Sequence, residues 1–351
     1  MAGQSYLSGA YGKNFATSKL SKKLRSAAQP LMRFRQFTDS ESQFGKRESD
    51  TMLFDKVLNL DASANMGAII AEGQSIPRSS FRTIQSSIIA RPSAISIGWT
   101  EELESFSEFD VRDPIKSRLV DYMAKALDYR AYTEFAKTRV HYRTTATTAT
   151  GEFVVGSTVV TPTAVSGAAT NASGQVAPSG RKAEVADIKN IIDSMKKGKY
   201  AGNAASIGGA TTKVAAPVPP ADKGSNYVCI ASVDFCRAIK DDSKFEEYAK
   251  YGDPDRFFSG EIGRIYGCRI VEDNHILGGI GAAGALGGQA FFMGKEAVME
   301  VVVVPEEIRI DIPYDFNRDR AMAFYYLGGF KTIWEFDATD EPENRIVAML
   351  N

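Results

Sequence analysis

Between Asp113 and Arg139 apolar residues return every third or fourth position: Ile115, Leu119, Tyr122, Met123, Ala126, Leu127, Ala131 and Phe135. That spacing puts them on one stripe of an α-helix, with Lys116, Arg118, Asp121, Lys125, Asp128, Arg130 and Lys137 mostly off it. Asp113 suits the cap position and Pro114 the first turn, and neither Gly nor Pro interrupts the run to Arg139. At about 1.5 Å per residue the helix spans ~39 Å, long enough to act as a spine.

The segment before it alternates instead. Met52, Phe54, Val57, Leu58 and Leu60 read as one extended arm and Phe81, Ile84, Ile88, Ile89, Ile95, Ile97 and Trp99 as the returning one. Asn65 to Ser80, punctuated by Gly, Ser and Pro, makes the tip. A two-stranded hairpin standing alone is marginal in water and its edges invite pairing, so this ribbon needs a surface from a neighbouring copy.

Downstream the pattern predicts a strand at Glu152–Val160, a loop through Thr161–Gly180, and a helix at Ala183–Lys197 carrying Val185, Ile188, Ile191, Ile192 and Met195. After a polar loop at Gly202–Gly224 come a buried strand at Tyr227–Ala231 and a helix at Val233–Asp241 that Ser232 can cap. Strands follow at Tyr266–Glu272, Gln289–Met293 and Val298–Val304. Ile308, Ile310 and Ile312 alternate with Arg309 and Asp311, and Met322–Trp334 reads as a longer strand broken by Gly328-Gly329. No internal repeat is present, so the chain is not a solenoid or a propeller.

Several blocks, in this order, carry a resemblance: Ala71-Glu72-Gly73 with Pro77, Gly98-Trp99-Thr100-Glu101-Glu102-Leu103-Glu104, Met123-Ala124-Lys125-Ala126-Leu127-Asp128, and Gly260-Glu261-Ile262-Gly263-Arg264-Ile265-Tyr266-Gly267-Cys268-Arg269-Ile270-Val271-Glu272. From about residue 50 onward the chain resembles major capsid proteins of tailed bacteriophages with the HK97-like fold. The resemblance implies an α+β architecture with an N-terminal arm (1–47), an extended β-hairpin loop (48–98), a peripheral domain holding the spine helix (99–145 and 306–335) and an axial domain (146–305 and 336–351). It implies a shell protein with no catalytic role that assembles with itself as hexamers and pentamers around double-stranded DNA, held without sequence specificity. It also implies a portal as partner, a location in the virion and, during assembly, the host cytoplasm. The stretch before the hairpin is too short for a built-in scaffolding segment, so a separate scaffolding protein is expected. A cellular nanocompartment shell protein of the same fold is the alternative within this resemblance.

Composition agrees with this without pointing to it. The formal net charge of -1 over 351 residues gives no overall attraction to nucleic acid or membrane. Lys13, Lys19, Lys22, Lys23, Arg25, Arg33 and Arg35, however, precede Phe37 with no acid among them, a basic arm for a neighbour's acidic patch or for DNA phosphates. The resemblance favours the neighbour. Cys229, Cys236 and Cys268 lack metal-ligand spacing and read as core residues. The longest apolar run, near Val301–Val304, is far too short to cross a bilayer, so no membrane partner is expected.

The enzymatic signals are thin. Gly279-Ile280-Gly281-Ala282-Ala283-Gly284 spells the dinucleotide fingerprint, yet the strand-like Gln289-Ala290-Phe291-Phe292-Met293 follows it where a capped helix is required, so an NAD-binding enzyme stands on that loop alone. Ser194-Met195-Lys196-Lys197 matches Ser-x-x-Lys only in letters, because Met195 belongs to the apolar face. His275 beside Glu272 and Asp273 is one imidazole, too few for a metal site. No cofactor, metal or catalytic residue is assigned. The candidate residues are those of a subunit contact: Phe54, Phe81 and Trp99 to exclude water, Glu72 on the hairpin tip, and Arg78 and Arg82 to meet Glu101, Glu102 and Glu104 of an adjacent copy.

Overall fold

A computed structural model describes residues 32–41, 49–57, 70, 72–73, 75–76, 83–107, 110–138, 140–144, 152–155, 182–198, 217–221, 225–245, 263–275, 288–311, 318–334 and 343–350. The strands among them are β1 (Asp39–Glu41), β2 (Thr51–Val57), β3 (Thr83–Ile89), β4 (Arg91–Thr100), β5 (Val140–Arg143), β6 (Glu152–Val155), β7 (Tyr227–Ser232), β8 (Arg264–Ile265), β9 (Cys268–Asp273), β10 (Ala290–Met293), β11 (Met299–Ile310), β12 (Asp319–Lys331) and β13 (Ile346–Leu350). The longer helices are α1 (Glu101–Phe106), α2 (Arg112–Phe135), α3 (Val185–Lys197) and α4 (Val233–Lys240).

The expected spine is α2, but its stripe is not the one the spacing suggests. Ile115, Leu119 and Leu127 pack with Trp99, Leu103, Met322, Phe324 and Tyr326, whereas Ala131, Tyr132 and Phe135 pack with Phe34, Phe291 and Ile346. At about 100° per residue these two sets lie on different sides of the cylinder, so each half of α2 serves a different core. Tyr122, expected on the buried face, is accordingly 48% exposed. Asp110, not Asp113, satisfies the first turn, its Oδ1 accepting from the Arg112 N–H at 2.9 Å. The helix stops at Phe135 because the chain turns there: Thr138 Oγ1 donates to Ile346 O at 2.6 Å and leads into β5.

The C-terminal half of α2 covers one face of a seven-stranded sheet ordered β6-β5-β13-β10-β7-β9-β8. Val228, Ile230, Phe291 and Met293 point to that side; Cys229, Ala231 and Phe292 point to the other, where α3 and α4 supply Ile188, Ile192, Phe235 and Ile239. With both faces covered, β7 is buried along its whole length. Ser232 caps α4 as predicted, its Oγ accepting from Phe235 N–H at 3.2 Å.

The N-terminal half of α2 lies against a four-stranded sheet ordered β1-β11-β12-β4. The two expected strands at Val298–Val304 and Ile308–Ile312 form a single strand, β11, whose register shifts between Val302 and Val304 and again between Val304 and Glu307 to accommodate Pro305. The expected break at Gly328-Gly329 is not a break either: β12 runs through it. A Cβ on Gly328 would lie 2.5 Å from Val301 O, and one on Gly329 would lie 2.6 Å from Ile89 O, so both glycines permit close backbone approach. β5 belongs to the seven-stranded sheet, and β1, β4 and β11 to the four-stranded one.

Candidate intersubunit surfaces

The returning arm of the hairpin divides at Ala90. Its first half, β3, pairs with β2 as a separate two-stranded ribbon, and its second half, β4, joins the four-stranded sheet. Register places Met52, Phe54, Lys56, Ile84, Ser86 and Ile88 on one face of the ribbon. That face has backing from its own chain, contrary to expectation: Ile88 is buried with Val301 and Ile333, and Met52, Phe54, Met299 and Trp334 pack around them. The opposite face carries Leu53, Asp55, Val57, Gln85 and Ile89, with Leu53 55%, Val57 61% and Ile89 50% exposed. Three large apolar side chains are thus left exposed together on one small ribbon face.

A second bare surface lies on the four-stranded sheet. Met322, Phe324 and Tyr326 point toward α2, so their neighbours Ala321, Ala323 and Tyr325 point away, beside Gly98, Ser96 and Ala94 of β4. Ala94 and Ser96 are exposed, and Ala321, Ala323 and Tyr325 are partly so. Small side chains make this face flat; at its rim the Arg309 guanidinium stacks 3.7 Å from the Tyr325 ring centroid and pairs with Glu307 at 2.5 Å. The ribbon root covers the end of the same sheet at Met299 and Val301.

Among the residues singled out from sequence, Phe54 is half-buried at the ribbon root, Glu72 is exposed in a turn, and Arg78, Phe81 and Arg82 lie outside the described residues, as does the Gly279–Gly284 run. Trp99 is only 2% exposed and serves its own core, its Nε1–H donating to Glu104 Oε2 at 3.2 Å. Glu104 pairs within the chain with Arg320 at 2.6 Å and Arg112 at 2.9 Å, partners the sequence reading did not name. Glu101 and Glu102 are exposed in the first turn of α1. The His275 Nδ1 lies 3.1 Å from Asp128 Oδ2, a carboxylate far from it in sequence. Leu53 was missed, although strict alternation through Asp55 groups it with Val57.

The root of the basic arm is docked on its own subunit. Phe34 is fully buried against Tyr132, Phe135 and Phe291. Arg35 bridges Glu300 at 2.9 Å and Glu306 at 2.6 Å, its backbone N–H donates to Asp128 at 3.1 Å, and the Tyr326 hydroxyl donates to Glu300 at 3.0 Å. Burial works against the Arg35 charge, yet hydrogen bonds to Glu306 and Glu300 outweigh it and hold the guanidinium above its ordinary pKa. The same bond holds the Glu306 carboxyl below the usual range. In the seven-stranded sheet, burial pushes the His141 imidazole from 6.5 down to about 4.

Acid therefore destabilises this fold in two stages. As pH falls from 6.5 toward about 4, an unfolded chain binds a proton that folded His141 refuses, removing about 3 kcal/mol of stability. Glu306, whose folded value is depressed, contributes stability above the ordinary carboxylate range that is lost as pH falls through that folded value. Urea midpoints measured from pH 7 to 4 should fall steadily, and His141→Gln should flatten the upper part of the decline; an unchanged slope in the variant would assign the loss elsewhere.

No family model and no curated protein matches the chain. Solved structures do match. The head structure of Helicobacter pylori bacteriophage KHP40 aligns over 98% of both chains with a TM-score of 0.66 and 12% identity. The acidic stable capsid structure of Helicobacter pylori bacteriophage KHP30 aligns over 99% of this chain and 98% of that one, with a TM-score of 0.65 and 11% identity. The capsid of Ralstonia phage GP4 aligns over 97% and 96%, with a TM-score of 0.59 and 16% identity. The chain thus has, over nearly its whole length, the α+β fold of these phage head and capsid chains.

Proposed function

We propose that the protein is a major capsid protein whose copies assemble, as hexamers and pentamers, into an icosahedral head shell around phage DNA. The observation that carries this reading is the pair of unsatisfied surfaces: a ribbon face bearing Leu53, Val57 and Ile89, and a flat sheet face built on Ala94, Ser96, Ala321 and Ala323. Each is uncovered by described parts of its own chain, and both recur in every copy, so one contact propagates from subunit to subunit. The fold shared with phage capsids supports the same reading. Individually modest contacts become a stable shell when each subunit makes several at once. A separate scaffolding protein sets the shell's size, a portal occupies one vertex, and assembly takes place in the host cytoplasm before DNA enters.

Negative-stain microscopy and sedimentation of the purified protein test this. Rings, curved sheets or shells that form as concentration rises are expected when the protein is alone, and closed shells of one size when scaffolding protein is supplied. A chain that stays monomeric at all accessible concentrations under both conditions overturns the proposal.

A further inference from the structure

Three parts of the subunit meet at the short segment Thr332–Trp334 just beyond β12. From the spine, the Glu134 carbonyl accepts the Thr332 hydroxyl hydrogen at 3.1 Å. From the ribbon, Lys56 Nζ donates to Ile333 O at 2.7 Å and lies 5.5 Å from the Trp334 ring centroid, while Ser86 Oγ donates to the same carbonyl at 3.3 Å. From the seven-stranded side, the Arg345 guanidinium stacks 3.9 Å from the Trp334 centroid and donates to Lys295 O at 2.9 Å in the β10–β11 turn. Lys331, one residue earlier, donates through Nζ to Ser87 O at 3.0 Å.

Lys56 is the anomaly. It is 3% exposed, on a ribbon face otherwise backed by Met52, Phe54 and Ile88, where leucine would bury as much area without dehydrating an ammonium. What lysine supplies and leucine does not is direction: a hydrogen bond to one carbonyl and attraction to one aromatic face set where the ribbon sits, whereas apolar packing tolerates sliding. Beyond this root the described part of the ribbon is a two-stranded ladder, and such a ladder fixes no orientation relative to the rest of the subunit.

We propose that Lys56, Trp334 and Arg345 form an orientation latch, which sets the angle of the ribbon against the seven-stranded sheet and thereby the direction in which its exposed face meets the next copy. The latch rests on the capsid reading only for its consequence, not for its existence.

Hydrogen exchange on the unassembled subunit tests the latch by itself. Lys56→Met should accelerate exchange of the amides in Thr51–Val57 and Thr83–Ile89 about tenfold, leaving β7 and β10 protected, while Lys56→Arg should stay near the parent. Trp334→Leu, which removes the aromatic face while leaving the ribbon's own residues unchanged, should reproduce the loosening should Lys56→Met fold poorly. Ribbon protection unchanged in Lys56→Met and Trp334→Leu would overturn the latch, even for a protein that assembles well. Conversely, a wild-type protein that never assembles would sink the capsid reading while leaving the exchange result standing. When shells do form, Lys56→Met is expected to give a broader distribution of shell diameters.

Discussion

A subunit carrying both Leu53→Asp and Val57→Asp is expected to fold normally and to remain unassembled. The two positions are 55% and 61% exposed, and they point away from the root where Met52, Phe54 and Ile88 pack, so the change removes nothing from the subunit's own core. Substitutions at sites of that kind shift stability by about 0.5 kcal/mol or less. In the shell we propose, a neighbouring copy buries the same positions. Each loses about 1.5 to 3 kcal/mol of apolar burial and gains a carboxylate that must be dehydrated or left unpaired beside Asp55. Even about 3 kcal/mol per contact weakens each association more than a hundredfold, and a closed shell repeats that penalty around every subunit. Sedimentation velocity should show monomer at concentrations where the parent forms rings or shells, with thermal unfolding midpoints of the two proteins close together. Shells indistinguishable from the parent's would show that the exposed ribbon face is not the contact.

Much of this architecture is legible in the chain because the elements that can be read serve a single core. Val185, Ile188, Ile191, Ile192 and Met195 all face the same cluster, so their spacing locates α3 to within two residues. Ser232 and the apolar run after it locate β7 and α4 equally well. Reading fails where one element serves two partners. The spine helix turns one side to the four-stranded sheet and another to the seven-stranded sheet, so summing its apolar residues into one stripe misplaces Tyr122. Gly328 and Gly329 look like a strand break because spacing shows the loss of side chains but not the Val301 and Ile89 backbones that need the room.

The candidate surface was legible in kind but not in residue. Alternation identified a ribbon; which of its faces looks outward depends on Ile333, 277 positions beyond Lys56, on Trp334, and on that buried lysine, which composition alone assigns to solvent. Trp99 and Glu104 illustrate the opposite error. A large aromatic and a carboxylate at the end of a hairpin look like interface residues, but Arg320, which pairs with that carboxylate, reaches them only through the β12–β4 register.

The N-terminal root shows the same long-range dependence, and with the largest expected effect on the subunit itself. Glu300 is buried, with its side chain 5% exposed, in the face of the four-stranded sheet that packs on α2. Arg35 supplies its countercharge from a segment some 265 positions earlier in the chain, with the Tyr326 hydroxyl and Thr38 completing the site. Arg35→Met keeps most of the stem but leaves the Glu300 carboxylate without its cation in a place water scarcely reaches. Breaking a buried pair from one side typically costs about 3 to 5 kcal/mol, and part of that loss should be restored in the double variant Arg35→Met/Glu300→Gln, where no charge remains to be dehydrated. Glu306 softens the effect only a little, since its side chain is 30% exposed and can turn to solvent. The destabilisation should start locally. Phe34 reaches the Tyr132–Phe291 cluster, and β1 pairs with Met299–Val301, through a segment that Arg35 fastens. Limited proteolysis should therefore cut Arg35→Met just before β1 sooner than the parent, ahead of any loss of the seven-stranded sheet. If urea midpoints of Arg35→Met and the parent agree and the double variant shows no recovery, the Arg35–Glu300 pair is a surface ornament and the arm's root is held by Phe34 alone.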